Sequence, residues 1–406
     1  MVFLSVLAKQ VLISLVVALV AQGFAIPHGI EKRDSPGFVA LDFSVDRSSI
    51  PSSGFVGKVA EGGKEENSLD AVVGKRAGTV SVNIHNTRFT YTSIVSVGSN
   101  KQKQTLVIDT GSSDLWVVDA NAQCENHSYC KTSGTFNPKT STTYQSLGLP
   151  FEIYYGDGSE SFGIWGTDTI GIGAISLQKQ RFADVNSTSE QSGTLGIGLV
   201  RGESGANYSN LPASLKEQGY IKTNAYSLYM NSPDALNGAI IFGGVDNAKY
   251  TGNLIPEKIT RPDRLSINVT SINYNGTLYK LTEDAALDTG SPITYLSAPV
   301  VAEIAKQAGA TWQGSKTEGQ YVIPCDADTT GNVDFGFENA AKITVPLSEF
   351  VVGGLVCPFG FQPSPVSVSI LGDNFLRHAY VVFNLDANTI SLAPINYTDD
   401  SNVSAI

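Results

Sequence analysis

The sequence has few positive charges, few histidines and few cysteines, and each shortage excludes a class of protein. Its 27 basic residues are outnumbered by 38 acidic ones, and residues 77–406 carry the whole excess, with 30 acidic and 19 basic side chains. Such a surface repels phosphate backbones, so we expect no nucleic-acid partner. The four histidines are scattered and the cysteine spacings do not fit a zinc site. We therefore expect no metal and no cofactor.

Several enzyme signatures are also missing. No Gly-x-Ser-x-Gly motif occurs, so a serine hydrolase is unsupported. Gly-Lys pairs at 57–58, 63–64 and 74–75 are followed by Val, Glu and Arg, where a phosphate-binding loop needs Ser or Thr. Strands do not alternate with long helices, which argues against a doubly wound parallel sheet.

The composition is that of a large, mostly β globular protein. Of 406 residues, 42% are hydrophobic, which is enough for a core, and this length favours two lobes. Short apolar or alternating runs broken by Gly, Asn, Asp and Ser predict strands. The clearest of these runs cover 91–97, 106–108, 240–242, 379–383 and 389–392. Short helices are predicted at 211–218, 298–307 and 347–350.

The N-terminus has the layout of a secretory signal. Lys9 precedes the apolar run Val11–Ala21, and small residues follow as far as Ala25. The run is too short to span a membrane, and neither a second long apolar run nor a lipid-anchor signal is found. We expect a signal peptide at 1–25 and a monomeric, secreted protein without a membrane anchor.

A charged, Gly/Ser-rich segment follows and ends at Lys75-Arg76, where the composition changes abruptly to a β-rich pattern. We interpret 26–76 as a propeptide, which either a dibasic-specific processing protease or self-cleavage in acid removes. The remaining chain divides into an N-terminal lobe at 77–235 and a C-terminal lobe at 236–406.

Cysteines and glycosylation sequons agree with export. The four cysteines allow three pairings, of which Cys124–Cys130 with Cys325–Cys357 is favoured. Seven Asn-x-Ser/Thr sequons are candidates for glycosylation, and we expect only some to be used. They lie at Asn126, Asn186, Asn207, Asn268, Asn275, Asn396 and Asn402.

An internal repeat singles out two aspartates. The segment LVIDTGSSDLWV at 106–117 returns as ALDTGSPITYL at 286–296, so Asp109 and Asp288 occupy equivalent places. Each is followed by a Leu-Gly pair, ending 87 residues after the first and 84 after the second. Two lobes of similar fold, related by a pseudo-twofold axis, would give this spacing.

Such an arrangement has a chemical consequence. Two carboxylates close together in a shielded cleft cannot both ionise, so Asp109 and Asp288 would share one proton. The ionised member can activate a water molecule while the protonated member polarises a peptide carbonyl. Threonine hydroxyls can cross the axis, glycines permit close backbone approach, and serine hydroxyls can bond the outer carboxylate oxygens. These supporting residues are Thr110, Gly111, Ser112, Thr289, Gly290 and Ser291.

The motifs together resemble those of the pepsin-like aspartic proteases, most strongly the candidapepsins, secreted aspartic proteases of yeasts. The resemblance spans nearly all of 77–406 and is carried by segments 109–116, 155–159, 225–229, 241–250, 288–291 and 370–377. It implies a bilobal β fold with a cleft between the lobes. It also implies acid-favoured cleavage of protein and peptide substrates and sensitivity to pepstatin-type inhibitors.

The same resemblance assigns further roles. It implies a β-hairpin flap in which Tyr155 reaches toward the indole of Trp116, while Gly156 and Asp157 bond the substrate backbone. An acidic residue at the flap tip is associated in fungal relatives with acceptance of lysine before the scissile bond. The cysteine pairing favoured above agrees with the family. A prosegment lysine, Lys58 or Lys64, would neutralise the aspartate pair in the zymogen.

One departure and two alternatives accompany this interpretation. Pro292 follows Ser291 where relatives usually have Thr or Ser, which predicts a lost substrate contact and an unchanged chemical step. A catalytically silent binding or inhibitor protein of the same fold is the main alternative. A cell-surface processing protease that cuts after basic residues is the second, and the missing anchor signal argues against it.

Overall fold

The computed structural model describes residues 91–125, 129–205, 208–235, 237–315, 319–353 and 356–406 in full, and residues 39–45, 86–87 and 90 by their backbone alone. Several sequence predictions lie outside the described residues. They are the signal peptide 1–25, the prosegment lysines Lys58 and Lys64, the processing pair Lys75-Arg76, and the sequons Asn126 and Asn207.

Strands dominate the described chain, which confirms the mostly β prediction. The strands before residue 235 are β1 (Val39–Val45), β2 (Asn86–Thr87), β3 (Thr90–Val97), β4 (Gln102–Asp109), β5 (Leu115–Cys124), β6 (Gln145–Tyr154), β7 (Glu160–Ile172), β8 (Ile175–Thr188), β9 (Thr194–Gly196) and β10 (Ala225–Tyr229). The later strands are β11 (Asn237–Phe242), β12 (Gly244–Asp246), β13 (Ile255–Lys258), β14 (Ser266–Tyr274), β15 (Thr277–Leu287), β16 (Thr294–Leu296), β17 (Thr311–Gly314), β18 (Gly319–Ile323), β19 (Asn332–Phe337), β20 (Lys342–Pro346), β21 (Cys357–Pro358), β22 (Phe361–Pro363), β23 (Ser369–Leu371), β24 (Ala379–Asn384), β25 (Thr389–Pro394) and β26 (Val403–Ala405).

Helices are short. They are α1 (Leu211–Glu217), α2 (Ala298–Ala308) and α3 (Asp373–Leu376), with 3-10 turns at Tyr129–Lys131, Pro138–Thr140, Val200–Gly202 and Leu347–Phe350. The first two confirm predicted helices, and α2 ends at Gly309, whose positive φ of 73° suits glycine. The predicted helix at 347–350 is a single 3-10 turn. Within the described ranges, no helix has the length and apolar character required to cross a membrane.

Two large sheets contain most of the strands. The larger has 14 strands in the order β13-β25-β24-β10-β11-β1-β3-β4-β9-β5-β8-β7-β6, with β2 paired to β3. A seven-stranded sheet has the order β20-β19-β14-β15-β23-β16-β22. A three-stranded sheet, β17-β18-β21, and the pair β12-β26 complete the architecture. Strand β1, from the predicted propeptide, pairs with β11 and β3 inside the largest sheet.

One strand arrangement occurs twice. Strand β9 lies between β4, to which it is parallel, and β5, to which it is antiparallel. Strand β23 lies in the same way between β15 and β16. In both cases the longer parallel strand leads into an Asp-Thr-Gly loop, because β4 ends at Asp109 and β15 ends immediately before Asp288. The sequence repeat therefore corresponds to a repeated topology.

Buried apolar pairs support the ends of these strands. Ile108 pairs with Leu195 across β4 and β9, and Leu287 pairs with Leu371 across β15 and β23. All four side chains are buried in one hydrophobic core that continues through both halves of the described chain. Burial of each such side chain contributes about 1.5–3 kcal/mol. The two loops therefore rest on well-packed strand ends.

Candidate active site

Reciprocal hydrogen bonds join the two Asp-Thr-Gly loops. The Thr110 N–H donates to Oγ1 of Thr289 at 3.1 Å, and the Thr289 N–H donates to Oγ1 of Thr110 at 3.0 Å. The hydroxyls donate onward at 2.7 Å, Thr110 to the carbonyl of Leu287 and Thr289 to the carbonyl of Ile108. Both threonines are buried, so an unmade bond here would leave a desolvated polar group. These four bonds fix the loops against each other.

Each aspartate is oriented by its own loop. The Gly111 N–H donates to Oδ1 of Asp109 at 2.7 Å, and the Ser112 hydroxyl donates to Oδ2. The second loop repeats the pattern, because the N–H two residues on donates to Oδ1 of Asp288 at 2.8 Å and the Ser291 hydroxyl donates to Oδ2 at 2.7 Å. Both carboxyl groups are thus held by two donors each.

The loop glycines lie against the opposite carboxyl group. A Cβ atom added to Gly111 would lie 2.4 Å from Oδ1 of Asp288, a distance that no side chain tolerates. A Cβ atom added to Gly290 would lie 3.0 Å from Oδ1 of Asp109. Glycine is therefore required at Gly111 by close approach, and Gly290 leaves little room for anything larger.

The two aspartates influence each other electrostatically. Asp109 is buried, whereas Asp288 is half-buried. Burial, followed by the charge of Asp288, raises the pKa of Asp109 well above that of an ordinary aspartate. The proton on this pair therefore persists at pH values where an isolated aspartic acid has lost it, and the titration belongs to the pair.

A hairpin formed by β6 and β7 carries the predicted flap residues. Its turn is closed by the Tyr155 N–H, which donates to the Ser159 carbonyl at 2.9 Å. The Trp116 indole N–H donates to the Tyr155 hydroxyl at 2.8 Å, and that hydroxyl lies 3.5 Å from Oγ1 of Thr194. Burial, with a smaller effect of the Asp109 charge, raises the pKa of Tyr155, which keeps the phenol protonated.

The tip of this hairpin is exposed. Asp157 points back to its own turn, where Oδ1 accepts the Ser159 N–H at 2.9 Å. A Cβ atom added to Gly156 would lie 3.9 Å from Cγ1 of Val366, a residue of the second half that is 44% exposed. The hairpin tip thus approaches a loop that precedes β23.

One buried acid beside the second loop was missed by sequence reasoning. The Asp373 N–H donates to the Ser291 carbonyl at 2.8 Å, and the Asn374 N–H donates to the Pro292 carbonyl at 3.3 Å. Neither side-chain oxygen of Asp373 has a hydrogen-bond partner within the described ranges, and burial raises its pKa strongly. Its only signal in the sequence is its place immediately after the repeated Leu-Gly pair.

The disulfides and five of the sequons can be located. The cysteines form Cys124–Cys130 and Cys325–Cys357. Three sequon asparagines are exposed, namely Asn186, Asn275 and Asn402. The other two are half-buried and their amides donate hydrogen bonds, Asn268 to Glu338 at 2.7 Å and Asn396 to the Ala248 carbonyl at 2.8 Å.

Comparison with known proteins agrees with this geometry. The family model described as eukaryotic aspartyl protease matches residues 90–395. The chain is 44% identical to secreted aspartic protease 8 of Candida albicans over the full length of both proteins. It is 46% identical to candidapepsin-2 of Candida parapsilosis, covering 95% of this chain and 91% of the relative. It is also 44% identical to the candidapepsin of Candida tropicalis, covering 98% of each.

A site built from two cross-linked Asp-Thr-Gly loops, a family match over three quarters of the chain and full-length similarity to secreted proteases agree on one identity. The chain belongs to the eukaryotic, pepsin-like aspartyl protease family, and it is a secreted aspartic endopeptidase.

Proposed function

We propose that Asp109 and Asp288 are the catalytic pair of this endopeptidase and share one proton at acidic pH. The reciprocal hydrogen bonding of Thr110 and Thr289 is the observation that carries the proposal, because it holds the two carboxyl groups together. The ionised member takes a proton from a water molecule while the protonated member donates to the carbonyl oxygen of the substrate. The water oxygen adds to the carbonyl carbon, and a proton then passes to the leaving amine. No covalent enzyme intermediate forms.

The supporting residues act by positioning. The N–H groups of Gly111 and Gly290 and the hydroxyls of Ser112 and Ser291 stabilise carboxylate charge and fix its direction. Preorganised donors of this kind need no rearrangement during the reaction. Substrate protein or peptide is the chemical partner that this family implies.

The hairpin tip acts as a flap that closes over bound substrate. Tyr155 and its hydrogen bond from Trp116 hold the inner side, while Gly156 and Asp157 offer backbone and carboxylate contacts to the peptide. Closing loops of this kind exclude water and complete the site. An exposed carboxylate at Asp157 supports acceptance of lysine before the scissile bond. Pro292, which lacks an N–H, weakens the binding of extended peptides without slowing the chemical step.

The protein is made as a zymogen, with a signal at 1–25, a propeptide at 26–76 and lobes at 77–235 and 236–406. Pairing of β1 with β11 and β3 supports a propeptide that docks on the enzyme. A dibasic-specific protease cuts after Lys75-Arg76, and the released monomer binds pepstatin-type inhibitors. Glycans attach at Asn186, Asn275 and Asn402, because these asparagines are exposed.

Digestion of an acid-denatured protein substrate between about pH 3 and 7 tests the catalytic proposal. We expect acid-favoured cleavage that pepstatin blocks and that Asp109→Asn and Asp288→Asn each abolish. Asp328→Asn is the matched control, because Asp328 is an exposed aspartate that bonds only its own turn through Thr330. Retained activity in folded Asp109→Asn protein would overturn the assignment.

A further inference from the structure

A single hydroxyl group lies between two carboxyl groups at the hairpin tip. Oγ of Ser159 lies 2.7 Å from Oδ1 of Asp157 and within hydrogen-bond distance of Oε1 of Glu190. Glu190 belongs to the loop between β8 and β9, where its N–H donates to Oγ1 of Thr188 at 2.9 Å. We call Asp157, Ser159 and Glu190 the tip network. It connects the turn of the hairpin to the loop that leads into β9.

Proton counting constrains the tip network. A serine hydroxyl has one proton, so Ser159 can donate to only one of its two neighbours. The other carboxyl group must donate a proton of its own, or the contact becomes a repulsion. Asp157 is exposed and already accepts the Ser159 N–H at 2.9 Å, which favours its ionised form. Glu190 is half-buried, so it is the group that carries the proton when both contacts are made.

The surroundings of Glu190 agree with this assignment. Burial raises the pKa of Glu190, and the charge of Asp157 raises it further against the opposing effects of the Ser159 hydroxyl and the Gln191 N–H. Tyr155 is the other titratable side chain of the turn that interacts with the Glu190 charge. Throughout the described ranges, no basic side chain forms an ion pair with Glu190.

The neighbouring strands add no charge that would reverse this conclusion. Glu160, at the start of β7, contacts the loop through its backbone, because its N–H donates to Oγ of Ser189 at 2.9 Å and its carbonyl accepts the Ser189 N–H at 3.0 Å. From β8, the neighbouring group is the neutral hydroxyl of Thr188.

We propose that Glu190 is a positioning residue that holds the hairpin tip in place when protonated and releases it when ionised. Protonated Glu190 donates to Oγ of Ser159, and that hydroxyl donates to the carboxylate of Asp157. Loss of the Glu190 proton removes one hydrogen bond and places two negative charges around one hydroxyl. The inference rests on the proposed role of the hairpin as a flap. Because the tip binds substrate rather than reacting, its release raises KM and leaves kcat unchanged.

Two substitutions separate the states of Glu190. Glu190→Gln supplies an N–H donor that does not titrate, and Glu190→Ala removes the contact at every pH. We would measure kcat and KM from pH 3 to 7 on a peptide with uncharged side chains, using the processed enzyme. Dividing each kcat/KM by the wild-type value at the same pH cancels the titration of Asp109 and Asp288.

The two ratios should change in opposite regions of the pH range. For Glu190→Gln we expect a ratio near one in acid that rises about three- to tenfold as wild-type Glu190 ionises, the worth of one hydrogen bond. For Glu190→Ala we expect a ratio about three- to tenfold below one in acid that approaches one at higher pH. The change should lie in KM. A flat ratio for Glu190→Gln, or a change confined to kcat, overturns the proposal.

Controls separate this proposal from its basis. Ser159→Ala should make the Gln and Ala variants equivalent, and Glu160→Gln should give a pH-independent ratio. If Asp109→Asn is active, the catalytic assignment fails. If that variant is inactive while Glu190→Gln gives a flat ratio, the tip network alone fails. Amide exchange of residues 155–159 in the wild type, expected to be faster at pH 7 than at pH 4, tests the release should Glu190→Ala not fold.

Discussion

The two halves of the described chain treat buried acid in opposite ways. Between residues 91 and 205, burial raises the pKa of several carboxyl groups that have no basic partner. They are Asp109, Asp114, Asp184, Glu190 and Glu203. After residue 237, hydrogen bonds and basic neighbours lower the pKa of most of the shifted acids. These are Asp263, Asp284, Asp328, Asp334 and Glu349, with Glu257 and Asp373 as exceptions.

The distribution of basic partners explains the difference. Every ion pair within the described ranges involves residues from Lys216 onward. In the first half, Arg181 lies instead over the rings of Trp165 and Tyr208, 4.4 and 4.9 Å from their centroids. A raised carboxyl pKa loses stability as pH rises, and a lowered one loses stability as pH falls. The first half is therefore adapted to acid, and the second half tolerates neutral pH.

The largest effect should come from breaking the buried ion pair of the second half. Glu349 accepts from Arg377 at 2.9 Å and lies 3.4 Å from Nε2 of His378. Burial alone would raise the pKa of Glu349, but these two neighbours hold it below its usual value. Glu349→Gln leaves the Arg377 charge buried without a counterion, so we expect a loss of about 3–5 kcal/mol in unfolding free energy.

Urea unfolding of this variant in an Asp109→Asn background, which prevents self-digestion, measures that loss. The loss should be present at pH 6 and shrink as pH falls through the pKa of Glu349, because the wild-type pair is itself lost there. An unchanged midpoint at pH 6 would show that the ion pair contributes nothing and would remove half of the comparison.

The next effect is the response of the two halves to pH. Burial raises the pKa of Asp184 to about 7 and that of Glu203 to about 8. Both groups bind more protons folded than unfolded between about pH 4 and 8, so residues 91–205 should lose stability across this range, on the order of a few kcal/mol. Hydrogen exchange at pH 4 and pH 7.5 should show faster exchange in 91–205 than in 237–406. Equal acceleration of both halves would contradict the comparison.

The smallest effects sharpen the comparison at single residues. Oδ1 of Asp184 has no hydrogen-bond partner within the described ranges, so Asp184→Asn should stabilise the protein by about 1–2 kcal/mol at pH 8 and leave it unchanged at pH 4. Asp334 accepts from the Thr344 hydroxyl at 2.7 Å and pairs with Lys342 at 2.9 Å. Asp334→Asn, the matched control, should destabilise by about 0.5 kcal/mol or less because the pair is exposed. Thermal unfolding at both pH values measures each, and the same sign for both variants would refute the distinction.

Linear motifs made much of the site predictable. Asp109 and Asp288 stand in repeated tripeptides, and the glycines around Asp157 mark the hairpin tip. The pairing of Glu349 with Arg377 and the contact of Ser159 with Glu190 were not predictable, because they join side chains 28 and 31 residues apart through tertiary structure. Periodicity also could not distinguish a helix at 347–350 from one 3-10 turn, because four residues make barely one turn.

The reciprocal threonine bonds also bear on the working lifetime of the enzyme. Neither loop can complete the site alone, since Thr110 and Thr289 each supply the partner that the other needs. Opening of the acid-adapted half would therefore inactivate the whole molecule even while the second half stays folded. Recovery would require the opened half to refold against its neighbour before the loops could join again. Proteolysis would then be self-limiting outside the cell, because the enzyme loses activity wherever it diffuses from an acidic zone into neutral surroundings.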